Sequence, residues 1–266
     1  MQKRVLILSD LHCGHVTGLT PPSYQRKAET GEARWNKLVY VQKELWKWFN
    51  QTVQKNGPYD LTVVNGDCID GDGSRSGGTE LITTDRLEQA KIACDALATI
   101  PTKKFHFTFG TPYHTGNCED FEIIVAKTLG GKIGSHEWVK VAGLILDLKH
   151  HQASSSIPYG KNTPLAKEAF QNELWAARNE QPRADILIRS HVHTFARSDI
   201  RLGNRTITAI STPALQGYGS KYGARKCSGP VDVGLLILDV EQTKQGTRHH
   251  IQPFFADMDC LKARTE

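Results

Sequence analysis

The chain has 266 residues, and 33 lysines and arginines against 28 aspartates and glutamates leave a formal net charge of +5. Hydrophobic residues make up 39% and charged residues 23% of the chain, which is typical of a folded protein and excludes a wholly disordered one. The longest apolar runs, Val5–Leu8 and Leu235–Leu238, are far shorter than a membrane span, so we expect no membrane partner. The weak positive charge permits an anionic substrate without requiring nucleic acid.

The six cysteines are scattered along the chain, with no C-x-x-C pair among them. Because a disulfide framework would be denser and its chain shorter, we expect reduced thiols and a cytoplasmic location. The apolar run near the N-terminus is too short for a signal-peptide core and predicts a strand instead. We find no internal repeat and no low-complexity linker, so residues 1–266 are expected to form one domain.

The first half of the chain alternates predicted strands and helices. Apolar residues at three- and four-residue steps predict helices at 33–55, 84–99 and 118–129. Leu87 is assigned to the buried face of the second helix. Asn117 and Asp120 resemble a capping arrangement before the third helix. Glycines and prolines predict a long loop over 13–32. Strands are predicted at Lys3–Ser9, Asp60–Asn65 and Lys104–Phe109, the last as a half-buried strand with its phenylalanines on one face.

The second half is dominated by strands. It contains one predicted helix, with Thr163 as N-cap and Pro164 at the first position, that ends near Arg178. This change along the chain favours an α/β fold of two sheets flanked by helices over one parallel, doubly wound sheet. The predicted strands are Trp138–Val141, Leu144–Leu148, Ile186–Arg189, Ala196–Arg201, Arg205–Ile210 and Val233–Val240, with a hairpin turn at Leu202-Gly203-Asn204.

Five short motifs place metal-ligand residue types directly after predicted strands. A strand end holds a side chain rigidly, and residues two apart in an extended segment point the same way. Each motif alone also fits an ordinary polar turn or a surface histidine. In chain order the motifs are Asp10-Leu11-His12, Gly66-Asp67-Cys68-Ile69-Asp70, Gly110-Thr111-Pro112-Tyr113-His114, His150-His151 and His191-Val192-His193.

Asp67 and Asp70 have different expected roles within the second motif. Asp67 follows a glycine that lets the chain turn sharply, and its two oxygens could bridge two cations. Asp70 could orient a metal ligand from behind. Cys13 and Cys68 flank motif residues, and the strand period points them away from the metals, so we expect them to pack rather than bind.

The order of the five motifs resembles that of the calcineurin-like metallophosphoesterases: D-x-H, G-D-x-x-D, G-x-x-x-H, H and S-H-x-H. The resemblance extends from Arg4 to about Phe195, and the chain looks most like phage- and plasmid-type members of that family. The resemblance implies a four-layer α-β-β-α sandwich with two mixed sheets and a dinuclear metal centre. It implies that Asp10, His12 and His193 hold the first metal, that Asp67 bridges both metals, and that His150 and His191 hold the second. His151 would replace His150 if the register shifts by one residue.

Two positions depart from the family pattern of G-N-H and G-H-x-H. Thr111 stands where the family has a metal-binding asparagine, and it could bind a metal weakly through its hydroxyl or through water. His114 lies three residues further on. We assign His114 as the catalytic, phosphate-facing acid, with the metal position of the missing asparagine as its alternative. Ser190 replaces the glycine before His191 and is small enough to be tolerated.

The expected reaction is hydrolysis of a phosphodiester or phosphomonoester by a metal-activated hydroxide. Two divalent cations about 3.5–4 Å apart would neutralise the ester and hold attacking and leaving oxygens in line. Nitrogen and oxygen ligands favour Mn first, with Zn, Fe or Ni as alternatives. The substrate class includes nucleic acid and nucleotides. The rival readings are a DNA exo- or endonuclease of the same family, and a catalytically weak scaffold or nucleic-acid-binding protein.

Substrate choice is expected to come from the loops, above all Gly217–Gly229. This loop carries basic residues and two tyrosines, which could grip phosphates and stack on bases. A flexible, solvated loop is the plainer reading of the same residues.

Overall fold

The structure is a computed structural model that describes residues 1–31, 33–73, 77–115, 120–153, 155, 157, 160–218 and 231–257. Asn117 and nearly all of the Gly217–Gly229 loop lie outside these ranges. The strands are β1 Gln2–Leu8, β2 Leu61–Asn65, β3 Phe105–Thr108, β4 Lys132–Gly134, β5 Glu137–Val141, β6 Leu144–Leu148, β7 Ile186–Arg189, β8 Ala196–Leu202, β9 Arg205–Ser211, β10 Gly234–Thr243 and β11 Gly246–Phe255. The helices are α1 Ala33–Asn56, α2 Arg86–Leu97, α3 Pro112–Thr115, α4 Glu122–Thr128 and α5 Thr163–Ala177.

The strands form two mixed sheets. The first has the order β11-β10-β1-β2-β3-β4, in which β1 to β4 are parallel and the other two strands pair antiparallel. The second has the order β5-β6-β7-β9-β8, in which β6, β7 and β9 are parallel. Parallel strands deliver their carboxyl ends to one edge of a sheet, and this places the loops after β1, β2, β3, β6 and β7 for a shared site.

The sheets pack face to face, and helices cover their outer faces. Apolar residues of both sheets, such as Ile7 and Ile188, form the core between them. The outer face of the first sheet packs against α1, α2 and α4 through residues such as Phe49. The outer face of the second packs against α5 through Leu165 and Ala169. The predicted four-layer α-β-β-α fold of two mixed sheets is therefore confirmed.

Several local predictions were wrong in detail. Leu87 is 58% exposed, because α2 begins at Arg86, after the cap Asp85, and turns this residue outward. The last helix begins at Thr163 itself, and Asn162 precedes it without a side-chain capping bond. The predicted start of the third helix, at residues 118 and 119, lies outside the described ranges, and within them α4 begins at Glu122.

The strand β3 differs from its prediction because both of its faces are covered. His106 is 8% exposed, and its Nε2 lies 3.1 Å from Glu137 Oε2. Phe105 and Phe107 do share one face, with ring centroids 5.8 Å apart. The strand is buried rather than half-buried because Phe107 packs into the core beneath the helices, while His106 on the other face meets Glu137 of the second sheet.

Among the helices in the described ranges, none combines the length and apolar composition that a bilayer crossing requires.

Candidate metal centre

The predicted site residues from five separate loops meet at the carboxyl ends of the parallel strands. Their ligand atoms fall into three overlapping groups, within each of which the atoms lie within 4.8 Å of one another. The first group is Asp10, His12 and His193, the second group is Asp67, His150 and His191, and the linking group is His12, Asp67 and His114. The linking group shares Asp67 with the second group and His12 with the first, so the three groups form one continuous cluster of ligand atoms.

The backbone at five of these residues is in the left-handed region. Non-glycine residues rarely adopt positive φ, because it costs about 1–3 kcal/mol each, and such residues concentrate at functional sites. Here the geometry turns consecutive ligand side chains toward one point after the strand has ended. The residues are Asp10 (φ 51°), His12 (45°), Asp67 (51°), His191 (76°) and His193 (53°).

Three imidazoles are held through Nδ1, which directs Nε2 into the site. His150 Nδ1 lies 2.7 Å from the backbone oxygen of Asn65, and His114 Nδ1 lies 2.8 Å from that of Asp70. His12 Nδ1 lies 3.0 Å from Asp70 Oδ1, so Asp70 takes the supporting position expected for it. A backbone carbonyl accepts only from N–H, so Nε2 of His150 and of His114 carries the lone pair of the neutral ring.

Two buried polar atoms test whether these residues fit a cation. Asp10 Oδ1 lies 3.2 Å from His193 Nε2, and His150 Nε2 lies 3.0 Å from Asp67 Oδ2. Neither Asp10 Oδ1 nor His150 Nε2 has a hydrogen-bond partner of acceptable alignment within the described chain. Leaving such atoms unpaired costs about 1–3 kcal/mol each, and a divalent cation would satisfy both. The residues therefore fit divalent metal binding.

The electrostatics of the cluster point to the same conclusion. Burial opposes ionisation of Asp10 and Asp67, yet the facing histidines hold the pKa of both carboxyls below the usual range. Burial likewise opposes a charge on His150, but Asp67 and Asp10 raise the pKa of this imidazole to about 10. Burial and the charge of His150 lower the pKa of His191 to about 4. A proton on His150 thus supplies the positive charge that the two neighbouring carboxylates of Asp67 and Asp10 favour.

Thr111 contacts Asp67 at the position where the motif lacks its asparagine. Its backbone N–H donates to Asp67 Oδ1 at 2.7 Å, and its hydroxyl lies 3.2 Å from the same oxygen. Gly110 passes so close that an added Cβ would collide with the backbone of Asp67. The third loop therefore fixes the orientation of the carboxylate that the linking and second groups share.

His151 and the cysteines lie outside the three groups. His151 is exposed, and its ring stacks on His191 with centroids 5.1 Å apart, at the mouth of the site. His150 is only 2% exposed and faces Asp67. Cys13 and Cys68 are buried in the core beneath the first sheet, as predicted, and burial raises the pKa of both thiols.

Glu122 is a supporting residue that sequence reasoning missed. This fully buried side chain on α4 accepts hydrogen bonds from the backbone N–H of Cys68 at 2.7 Å and of Gly110 at 2.6 Å. It joins the loops after β2 and β3 directly behind Asp67, and burial raises its pKa to about 7. The available signal was an acidic residue within the apolar stretch 121–126.

No family model matches the chain, and no curated protein matches it. Its fold is similar to that of Entamoeba histolytica Vps29 complexed with Zn²⁺, with 14% identity, TM-score 0.39, and 94% and 98% of the two chains covered. A Streptococcus pneumoniae protein described as a predicted phosphoesterase has 9% sequence identity and a TM-score of 0.38, with 95% of this chain and 99% of that chain covered. An archaeal phosphodiesterase has 10% sequence identity and a TM-score of 0.41, with 94% of this chain and 99% of that chain covered. At these identities and TM-scores, the similarities do not assign the chain to a family.

Proposed function

We propose that residues 1–266 form a single domain that hydrolyses phosphodiester or phosphomonoester bonds with two divalent metal ions. The observation that carries this proposal is the position of Asp67, which belongs both to the linking group and to the second group. A carboxylate with two oxygens can serve two cations at once. Paired divalent cations are the usual solution for displacement at a phosphate ester.

The chain offers a distinct donor set for each cation. Asp10, His12 and His193 would hold the first and His150 and His191 the second, with Asp67 shared. These nitrogen and oxygen donors suit Mn foremost, and Zn, Fe or Ni as alternatives. Bound there, the cations would neutralise the negative charge of the ester and make water a better nucleophile.

The remaining residues orient the Asp67 carboxylate and protonate the leaving oxygen of the substrate. The Thr111 N–H and the Glu122 bridge keep Asp67 in one orientation. His114 lies beside Asp67, with its Nε2 3.9 Å from Asp67 Oδ2. We assign Nε2 of His114, with the ring protonated on both nitrogens, as the atom that gives a proton to the leaving oxygen, because Nδ1–H is engaged by the backbone oxygen of Asp70.

The substrate is a phosphate ester, and nucleotides and nucleic acid belong to this class. The experiment uses metal-stripped protein reloaded with Mn, Zn, Ni or Mg and offered bis-p-nitrophenyl phosphate or p-nitrophenyl phosphate. His191→Ala removes a ligand of the second group. His250→Ala is the matched control, because His250 is exposed on β11.

Metal-dependent turnover that His191→Ala abolishes and His250→Ala retains would support the proposal. Preference for the diester would direct the search to nucleic acids and cyclic nucleotides, and preference for the monoester to phosphatase substrates. Two bound ions without turnover of either ester would contradict hydrolysis and favour a scaffold role.

A further inference from the structure

A charged network beneath α5 joins the ends of two strands that carry ligand residues. β6 and β7 are parallel neighbours, and their pairing continues past both strands, where the Ser190 N–H donates to the His150 backbone oxygen at 2.8 Å. Lys149 directly precedes His150, and Arg189 lies two residues before His191. Their long side chains leave the sheet on the face covered by α5, away from the metal centre.

Arg189 is the largest fully buried side chain in the described part of the protein. Its guanidinium lies 2.7 Å from Asp147 Oδ1, and this single carboxylate already offsets its charge. A buried charge needs such a partner, because an unpaired one is strongly destabilising. The pairing between Arg189 and Asp147 therefore explains why an arginine is tolerated here, but it does not explain the second carboxylate in the network.

Glu168 on α5 is that second carboxylate, and it contacts both strand ends. Its Oε2 accepts from Arg189 Nε and Nη2, each at 3.1 Å. Its two oxygens also lie 3.2 and 3.1 Å from Lys149 Nζ. One side chain on the covering helix thus holds the residue before His150 and the arginine close to His191.

We propose that Glu168 is a positioning residue for the second metal ion, because it clamps the two strand ends that present His150 and His191. This inference rests on the proposed function, since it requires that the second group binds a metal. The charges support it, because Lys149 and Arg189 balance Asp147 and Glu168 when His136, which lies 2.9 Å from Asp147 Oδ1, is neutral. Without the Glu168 charge, a net positive charge would remain behind two ligands of a cation.

The test is a titration of metal-free protein with Mn²⁺. Calorimetry measures each binding event, and electron paramagnetic resonance detects the Mn pair. Glu168→Gln keeps the shape of the side chain and removes its charge. Residues that hydrogen-bond a metal ligand directly typically change metal affinity by about 10–100-fold, and Glu168 acts one residue further out. We therefore expect a loss of about tenfold in one of two binding events, together with a weaker exchange-coupled signal of the pair.

Glu173→Gln is the matched control. Glu173 lies on the same helix, its side chain is 29% exposed against 25% for Glu168, and it also contacts two arginines, Arg183 and Arg205. Neither arginine lies within two residues of a predicted ligand, so this variant should bind both ions as the wild type does. If Glu168→Gln does not fold, Glu168→Asp keeps the charge and shortens the reach, and it should weaken the same event by a smaller factor.

Three kinds of outcome would overturn the inference. Unchanged affinities in the Glu168 variant would show that the network serves stability alone. Equal weakening of both events, or the same loss in Glu173→Gln, would indicate general destabilisation. A wild type that binds no pair of ions would overturn the inference and the proposed function together, whereas the first two outcomes leave the proposed function standing.

Discussion

The Nε2 atom of His150 and the Oδ2 atom of Asp67 lie 3.0 Å apart, and each side chain is at most 2% exposed. The two residues come from different sheets, and Nδ1 of His150 is held by the backbone oxygen of Asn65. In the metal-free protein, a proton on His150 neutralises the carboxylates that face it. A metal ion that enters the second group has to replace this proton.

Metal loading should therefore release protons at neutral pH. Burial opposes the charge, but the carboxylates raise the pKa of His150 to about 10, so the imidazole is still protonated at pH 7–8. Apparent affinity for the second ion should rise with pH by up to about tenfold per unit for each proton displaced. Calorimetric titration in two buffers of different ionisation enthalpy measures the protons released, and a result of zero would contradict the prediction.

The stability of the metal-free protein should fall as the pH rises. The pKa of His150 is higher in the folded than in the unfolded chain, where it is 6.5. Its contribution is therefore fully present below pH 6.5 and is lost as the pH rises through about 10. Thermal melts of metal-free and loaded protein across this range provide the measurement. The decline should weaken or vanish in the loaded protein, because the metal ion has replaced the proton.

The two adjacent histidines after β6 should differ sharply in their effect on metal content. His150→Ala removes a buried group that faces Asp67, so the second ion should be lost. His151→Ala removes an exposed ring that stacks on His191, so both ions should remain. Metal analysis after dialysis distinguishes the two variants. Retention of two ions by the first and loss by the second would assign the ligand to His151.

Substitution of His114 separates its two possible roles. If Nε2 of His114 donates a proton to the leaving oxygen, His114→Gln should keep both metals and lose about 10²–10⁴-fold in turnover. The loss should be larger for an alkyl diester than for bis-p-nitrophenyl phosphate, because nitrophenolate leaves without protonation. Metal content and turnover are measured on the same samples. Loss of a metal ion in this variant would instead make His114 a ligand of the linking group.

Gly66 should not tolerate a side chain. It has φ 81°, and an added Cβ would collide with the imidazole of His150. Gly203 has φ 62° in a hairpin turn, and nothing in the described chain lies within 4 Å of its added Cβ. Both alanine variants pay about 1–2 kcal/mol for the left-handed conformation, and overpacking adds about 1–3 kcal/mol at Gly66 alone. Chemical denaturation measures the difference, and equal losses would contradict it.

The fold was predictable where local pattern and burial agree. The helix α1 buries the apolar residues that its period indicates, among them Leu45 and Phe49. The strand β11 was missed because it is an edge strand, mostly polar, and interrupted by Pro253. Leu87 was misassigned because the angular position of a residue at the first turn depends on where the helix begins.

The clustering of the candidate ligand residues could be predicted, because each follows a strand and the strand order brings the loops together. The supporting carboxylates could not. Glu122 and Glu168 act across layers, from a covering helix to the end of a strand. Their partners are distant in sequence, and no local spacing relates them. The left-handed backbone at Asp67 and His191 could not be predicted either, since neither residue type alone indicates that conformation.

The first and the second group of candidate ligands each draw on both sheets. Asp10 and His12 follow the first sheet and His193 the second, while Asp67 follows the first and His150 and His191 the second. Two bound ions would therefore cross-link the two sheets. No disulfide involving Cys13, Cys68 or Cys94 does so, because these cysteines are free. Chelation would remove the metal link, and the contact of His150 with Asp67 would be among those still joining the two sheets at the site. Because the ions would bind only the folded chain, metal supply would add to the stability of the whole fold.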